Sequence, residues 1–196
     1  MLFVSITRYW VLMGMNIKSL TLLALGSILF TSAKYKNISS IESRTEFISV
    51  TDEETIMAFN EKATGTIDIT TGNVTVEVPM NEFQFKIPLM QKHYNSKGFL
   101  NTKKFPMAKF VGTIDNIADI DLKSDGTMTV PVSGKMTMKG KTHVLTTKSI
   151  LTIIDGKIKT NTTFKMTLAD YDVKFKKGKP SKNIAKEVTI KSVMDF

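Results

Sequence analysis

The 196-residue chain contains no cysteine. That excludes a disulfide framework, a thiolate metal centre, a cysteine nucleophile and a lipidated N-terminal cysteine. Histidine is almost as scarce: His93 and His143 are too few for a His-rich metal site or for most acid/base relays. Arginine is limited to Arg8 and Arg44, so the formal net charge of +9 rests almost wholly on lysine. Bidentate reading of bases and phosphates favours arginine. The positive excess is therefore diffuse, and nucleic acid is not an expected partner. A single-stranded nucleic-acid barrel would also need exposed aromatics interleaved with basic residues. There is no Gly-x-Ser-x-Gly elbow, no Gly-x-x-x-x-Gly-Lys-[Ser/Thr] loop and no Gly-x-Gly-x-x-Gly fingerprint. The chain reads as a non-enzymatic protein with no catalytic residue, metal site or cofactor of its own.

Acidic residues are missing from positions 1–33, which hold Arg8 and Lys18. Residues 20–30 (LTLLALGSILF) form a short apolar run behind Lys18, and small residues follow at Thr31-Ser32-Ala33. This is the pattern of a secretory signal peptide cleaved near Ala33, with Met13 and Met15 as further candidate starts. The run falls short of the roughly 20 apolar residues that span a bilayer, which weighs against the alternative of an uncleaved anchor. Removing 33 of the 196 residues leaves 163, with a net charge of +7 and no tryptophan, because Trp10 lies in the leader. The expected mature protein is one domain over 34–196, periplasmic or secreted, stabilised by its core alone.

Period-two alternation dominates that domain. Met128, Val130, Val132, Met136 and Met138 alternate with Thr129, Ser133, Lys135, Thr137 and Lys139. Ile158, Phe164, Met166 and Leu168 share a second such face, and Val188, Ile190, Met194 and Phe196 a third. Residues 66–70 and 74–78 form another pair, and Phe83, Phe85 and Ile87 a shorter run. Serine and threonine read as mostly outward along these strands. Thr71-Gly72-Asn73, Asp125-Gly126, Lys139-Gly140-Lys141 and Asp155-Gly156 each supply a hairpin signal. Pro131 within a strand pattern calls for a bulge or an edge. Pro88 opens a short predicted helix over 89–95. The expected fold is all-β: a single up-and-down antiparallel barrel of about eight strands, with one short helix in a long loop.

The mature chain has nine methionines and ten phenylalanines. The predicted inward face collects Phe47, Phe83, Phe85, Leu89, Met90, Phe110, Met136, Met138, Phe164, Met166 and Leu168, with Met128 beside them. Methionine adapts to irregular shapes, so this lining suits a long flexible hydrocarbon guest. It equally suits a filled core, and periodicity does not separate the two.

The order of motifs adds to this. Phe47-Ile48-Ser49, Ala58-x-Asn60, Ile67-Asp68 and Thr71-Gly72 come first. Phe85-x-Ile87-x-Leu89-Met90-x-x-His93-Tyr94-Asn95 follows, then Phe99-Leu100. Next stand Phe105-Pro106-x-Ala108-x-Phe110-x-Gly112-x-Ile114 and Val132-x-Gly134-x-Met136-Thr137-Met138-x-Gly140. Phe164 and Leu168-x-Asp170-Tyr171-x-Val173 close the series. Over about residues 45–194 this succession resembles the YceI-like family of exported polyisoprenoid-binding proteins. The resemblance implies a lipocalin-like barrel with a hydrophobic tunnel. It also implies an isoprenoid guest, such as a quinone tail or polyprenyl lipid, and dimers in some members.

Two sites remain open on the residues alone. His93 either touches a guest's headgroup or fixes the helix against the barrel. Lys174, Lys176, Lys177, Lys179 and Lys182 form either a solvated turn or a patch attracted to anionic membrane, on the order of 1 kcal/mol per lysine. Two functions follow: a carrier or store of an apolar chain, or a solid-core module that binds an acidic polymer, membrane or partner protein through its lysines.

Overall fold

The computed structural model describes residues 36–173 and 183–196. The expected signal peptide and the lysines of residues 174–182 lie outside the described residues. The strands are β1 (Asn37–Ser39), β2 (Glu42–Val50), β3 (Thr55–Asn60), β4 (Thr64–Asp68), β5 (Asn73–Pro79) and β6 (Gln84–Phe85). After helix α1 (Pro88–Asn95) come β7 (Met107–Ile114), β8 (Gly126–Met138), β9 (Lys141–Ile154), β10 (Lys157–Thr167) and β11 (Glu187–Asp195).

These eleven segments make one antiparallel sheet in the order β1-β4-β5-β7-β8-β9-β10-β11-β2-β3-β6. Its ends rejoin through the chain. β1 and β2 are halves of one bent strand, and β3 and β4 are halves of another. β1 pairs with β4 and β2 with β3. Across the bend Ser40 N–H donates to Gly65 O at 2.8 Å, and Ser43 Oγ to Ala63 O at 2.7 Å. The other edge of the first bent strand meets β11, where Ile41 N–H donates to Asp195 O at 2.8 Å. Counting each bent strand once gives a ring of eight, the number expected; β6 is a two-residue addition to β3.

Two hairpins follow the turn chemistry of their residues. Lys139 and Gly140 have φ of 50° and 75°, and Asp155 and Gly156 of 50° and 72°. Both central positions are left-handed, as the tight turn matched to strand twist requires. Three expectations need correction. Asp125-Gly126 is not a tight hairpin turn: β7 and β8 are joined by residues 115–125, which include a 3-10 turn at Ile117–Asp119. Residues 83–87 do not form a long strand, because Met80–Glu82 is a 3-10 turn and only Gln84–Phe85 pairs, with Phe59 and Ala58. Leu168, expected on one strand face with Phe164 and Met166, instead opens a 3-10 turn over Leu168–Tyr171. Pro131 sits one residue beyond the end of the β7 ladder, at Ile114–Val132, so no missing N–H breaks that ladder.

One seam of the ring is incomplete. β9 pairs with β10 only from Ile154–Lys157 to Ser149–Thr162. Beyond that point side chains span the gap. Thr147 Oγ1 donates to Thr163 O at 3.2 Å, His143 Nε2 lies 2.8 Å from Asp170 O, and Lys139 Nζ donates to Asp172 O at 2.6 Å.

Inward residues form two cores along the barrel axis. One, under α1, gathers Phe47, Phe83, Tyr94, Met138, Met166 and Leu168. The other, at the far end, gathers Ile67, Phe110, Leu151, Ile153 and Ile158. Burying each large apolar side chain contributes about 1.5–3 kcal/mol. The outer surface carries cross-strand ion pairs, Lys109–Glu77 at 2.8 Å and Lys165–Glu187 at 2.9 Å among them. Such exposed pairs contribute at most about 1 kcal/mol each.

Candidate functional site

The interior is not filled. A chamber of about 100 Å³ occupies the barrel beyond Met136, lined by Val74, Val76, Phe110, Val130, Phe164 and Ile190 among others. A second, of about 60 Å³, lies under α1 between Phe47, Phe83, Tyr94, Met138, Met166 and Leu168. The two share Thr45, Val78, Met136 and Ile190, so only side chains separate them. A cavity needs about 10–15 Å³ on this measure to hold a water, and ordinary cores have few voids larger than that. A third, wider cavity of about 660 Å³ lies outside α1 and shares Phe47, Tyr94 and Phe99 with the second.

Tyr94 divides the inner and outer spaces. Its ring centroid lies 5.0 Å from Phe85, 5.6 Å from Phe83, 6.3 Å from Phe99 and 6.4 Å from Phe47. Offset aromatic pairs of this kind contribute about 0.5–1.5 kcal/mol beyond burial. Burial pushes the Tyr94 hydroxyl well above the ordinary phenol range, so it stays neutral. Helix α1 is held here because Pro88 starts it without losing a needed N–H, and Tyr94 is its one buried residue.

The structure distributes the predicted lining over the three spaces. Phe110 and Phe164 face the far chamber, and Met136 faces both inner chambers. Phe47, Phe83, Met138, Met166 and Leu168 line the chamber under α1. Phe85, Leu89, Met90 and His93 line only the outer cavity. Leu89 is 58 % exposed and belongs to the rim rather than to the barrel interior, because α1 covers the mouth instead of entering it. His93 is also exposed. Its backbone carbonyl accepts from Ser96 N–H at 3.1 Å and Ser96 Oγ at 2.7 Å, which closes the helix. Among the described residues no group of three His, Asp or Glu could hold a metal ion. None of their helices is long and apolar enough to cross a membrane.

Two features escaped the sequence reading. Gly112 and Gly134 are paired across β7 and β8. A Cβ at either would sit 2.6 or 2.7 Å from Phe110 Cζ, so the tip of the ring occupies the space that the two glycines leave. That keeps Phe110 against the wall and the far chamber open. The second is a wall of hydroxyls. Thr45, Thr147, Ser149, Thr160, Thr162 and Ser192 all line the far chamber, contrary to the expectation that serine and threonine face mostly outward. Parity along β10 carried the signal: Thr160 and Thr162 fall between Ile158 and Phe164 on the same face.

An eight-strand antiparallel ring that leaves voids between the side chains of its lumen defines an up-and-down β-barrel. The sequence profile of the YceI-like domain matches residues 32–196, and the chain belongs to that family. A UPF0312 protein of Shewanella denitrificans is 28% identical over 134 residues, covering 64% of this chain and 65% of that relative's length. Among solved structures, Burkholderia cenocepacia BcnA superposes with a TM-score of 0.66 at 18% identity, over 79% of this chain and 96% of that one. A polyisoprenoid binding domain from Saccharophagus degradans gives 0.69 at 17% identity, over 83% and 98%. The YCEI protein of Campylobacter jejuni gives 0.53 at 13% identity, over 84% and 85%. At these identities the likeness is one of fold.

Proposed function

We propose that this protein is a non-enzymatic carrier or store for a long apolar chain of the isoprenoid or quinone type. The observation that carries the reading is the pair of adjoining apolar chambers inside the ring, separated by one flexible methionine and shared wall residues. Withdrawing hydrocarbon from water yields about 0.8 kcal/mol per methylene, so a partly enclosed chain gains several kcal/mol. The Saccharophagus neighbour, described as polyisoprenoid binding, supports the same class of guest. The apolar run of residues 20–30 supports export, which would place the carrier beyond the inner membrane. The lysines of residues 174–182 would then favour contact with anionic lipid during loading.

The test is solvent extraction of the purified protein followed by mass spectrometry, then titration of the stripped protein with a polyprenol. Co-purified or reloaded lipid is expected. Met136→Glu places a carboxylate between the two chambers and should lower uptake at least tenfold while the strands stay folded by circular dichroism. Repeated absence of lipid together with no polyprenol uptake would defeat the proposal.

A further inference from the structure

The unfinished seam between β9 and β10 lies between two complete ladders. β9 keeps its pairing with β8 as far as Met138–Lys141, and β10 its pairing with β11 as far as Thr167–Glu187. Residues 141–148 of β9 and 163–167 of β10 are therefore regular strand on one edge and unladdered on the other. The slot between them opens on the lumen. Leu145, Thr147 and Phe164, from its two sides, line the far chamber, and Met166 lines the chamber under α1.

Three side chains cross the slot. Thr147 Oγ1 donates to Thr163 O at 3.2 Å, and Lys139 Nζ to Asp172 O at 2.6 Å. Asp170 O can only accept, so His143 Nε2, 2.8 Å away, carries a proton and donates it. The His143 ring also meets Tyr171 edge-on, with centroids 5.2 Å apart. Three separate side-chain bonds open more readily than a continuous ladder, whose bonds break together. The other ways into the lumen are tighter. At the α1 end Tyr94 sits among Phe47, Phe83, Phe85 and Phe99. At the far end Ile67, Leu151 and Ile153 are at most 1 % exposed.

Resting on the carrier reading, we infer that this slot is a side port: the β8–β9 and β10–β11 hairpins part there to pass the apolar chain, and Lys139, His143 and Thr147 latch them together. The latch governs how fast a guest exchanges. It leaves affinity unchanged, because the chambers are the same once the slot recloses.

The experiment follows uptake and release of radiolabelled geranylgeraniol by stripped full-length protein. The chain has no cysteine, so Thr146→Cys with Lys165→Cys makes a unique pair, each position standing three residues beyond the last rung, Ser149–Thr162. Bridging that pair with a bifunctional maleimide should slow uptake about tenfold or more. The same bridge between Thr137→Cys and Thr142→Cys, a rung of the complete β8–β9 ladder, should leave the rate within about twofold of wild type. Lys139→Asn with His143→Ala should speed uptake and release together, about fivefold, with Kd held within about twofold. Asparagine suits the left-handed backbone at Lys139, where φ is 50°. Unchanged uptake through the bridged slot, equal slowing by both bridges, or unchanged rates in the latch variant overturns the port and leaves the carrier intact. No uptake by the wild-type protein overturns the carrier itself. If one of the two slot variants does not fold, the other decides.

Discussion

Replacing Gly134 by alanine adds one carbon, and the structure states what it meets. The new Cβ would lie 2.4 Å from Val111 O, 2.5 Å from Gly112 Cα and 2.7 Å from Phe110 Cζ. Two of those neighbours are backbone of the paired strand, so no rotamer change relieves them. The strands must part or the ring must move away. Overpacking of this kind costs about 1–3 kcal/mol. For a domain of this size each kcal/mol lowers the melting temperature by about 2–4 °C, so a drop of about 2–12 °C is expected. Gly126 is the matched control, since a Cβ there meets nothing within 4 Å. Gly126→Ala should stay within about 0.5 kcal/mol of wild type. Thermal and urea unfolding of the two variants in parallel make the assay. Because Phe110 is displaced toward the chamber, Gly134→Ala should also take up less polyprenol. Equal stability of the two variants would refute the argument that Gly134 is held by close approach.

Leu151, 1 % exposed in the far core, should lose about 2–5 kcal/mol on change to alanine, whereas Ile150, one residue away on the outer face and 45 % exposed, should lose far less; urea midpoints separate them. Acid should destabilise the turn between β4 and β5. Burial raises the Asp68 carboxyl, but Thr70 N–H at 2.8 Å, Thr71 Oγ1 at 2.9 Å and Thr71 N–H at 3.4 Å outweigh it, and the group titrates below its usual range. A lowered folded value contributes stability above the unfolded carboxylate range that disappears as pH falls through the folded value. Asp68→Asn should therefore flatten the acid limb of a stability-against-pH curve while lowering stability at neutral pH.

Much of the barrel was legible because its strands obey a period of two and its tight turns carry glycine. Lys139-Gly140 and Asp155-Gly156 announced their hairpins. What failed was local. Asp125-Gly126 looks like a hairpin turn, yet β8 simply begins there. Phe83, Phe85 and Ile87 alternate as a strand would, but the 3-10 turn before them and Pro88 after them leave room for two paired residues. Leu89 reads as inward by its apolarity, whereas α1 presents it to the rim. The hydroxyl wall was missed for the opposite reason: polarity argued outward, and parity, the stronger rule within a strand, argued inward. The pairing of Gly112 with Gly134 was out of reach, since it depends on register between strands.

Because the ring closes where β11 meets β2, its last-made strand locks onto one of its first. The contact between Thr45 and Ser192 spans 147 positions. Interactions so distant along the polymer must wait for a costly loop to form, which slows folding. A ribosome that still holds β11 also holds this stave, and the hoop stays open until it is released. The lumen therefore comes into being only once β11 is free to pair with β2.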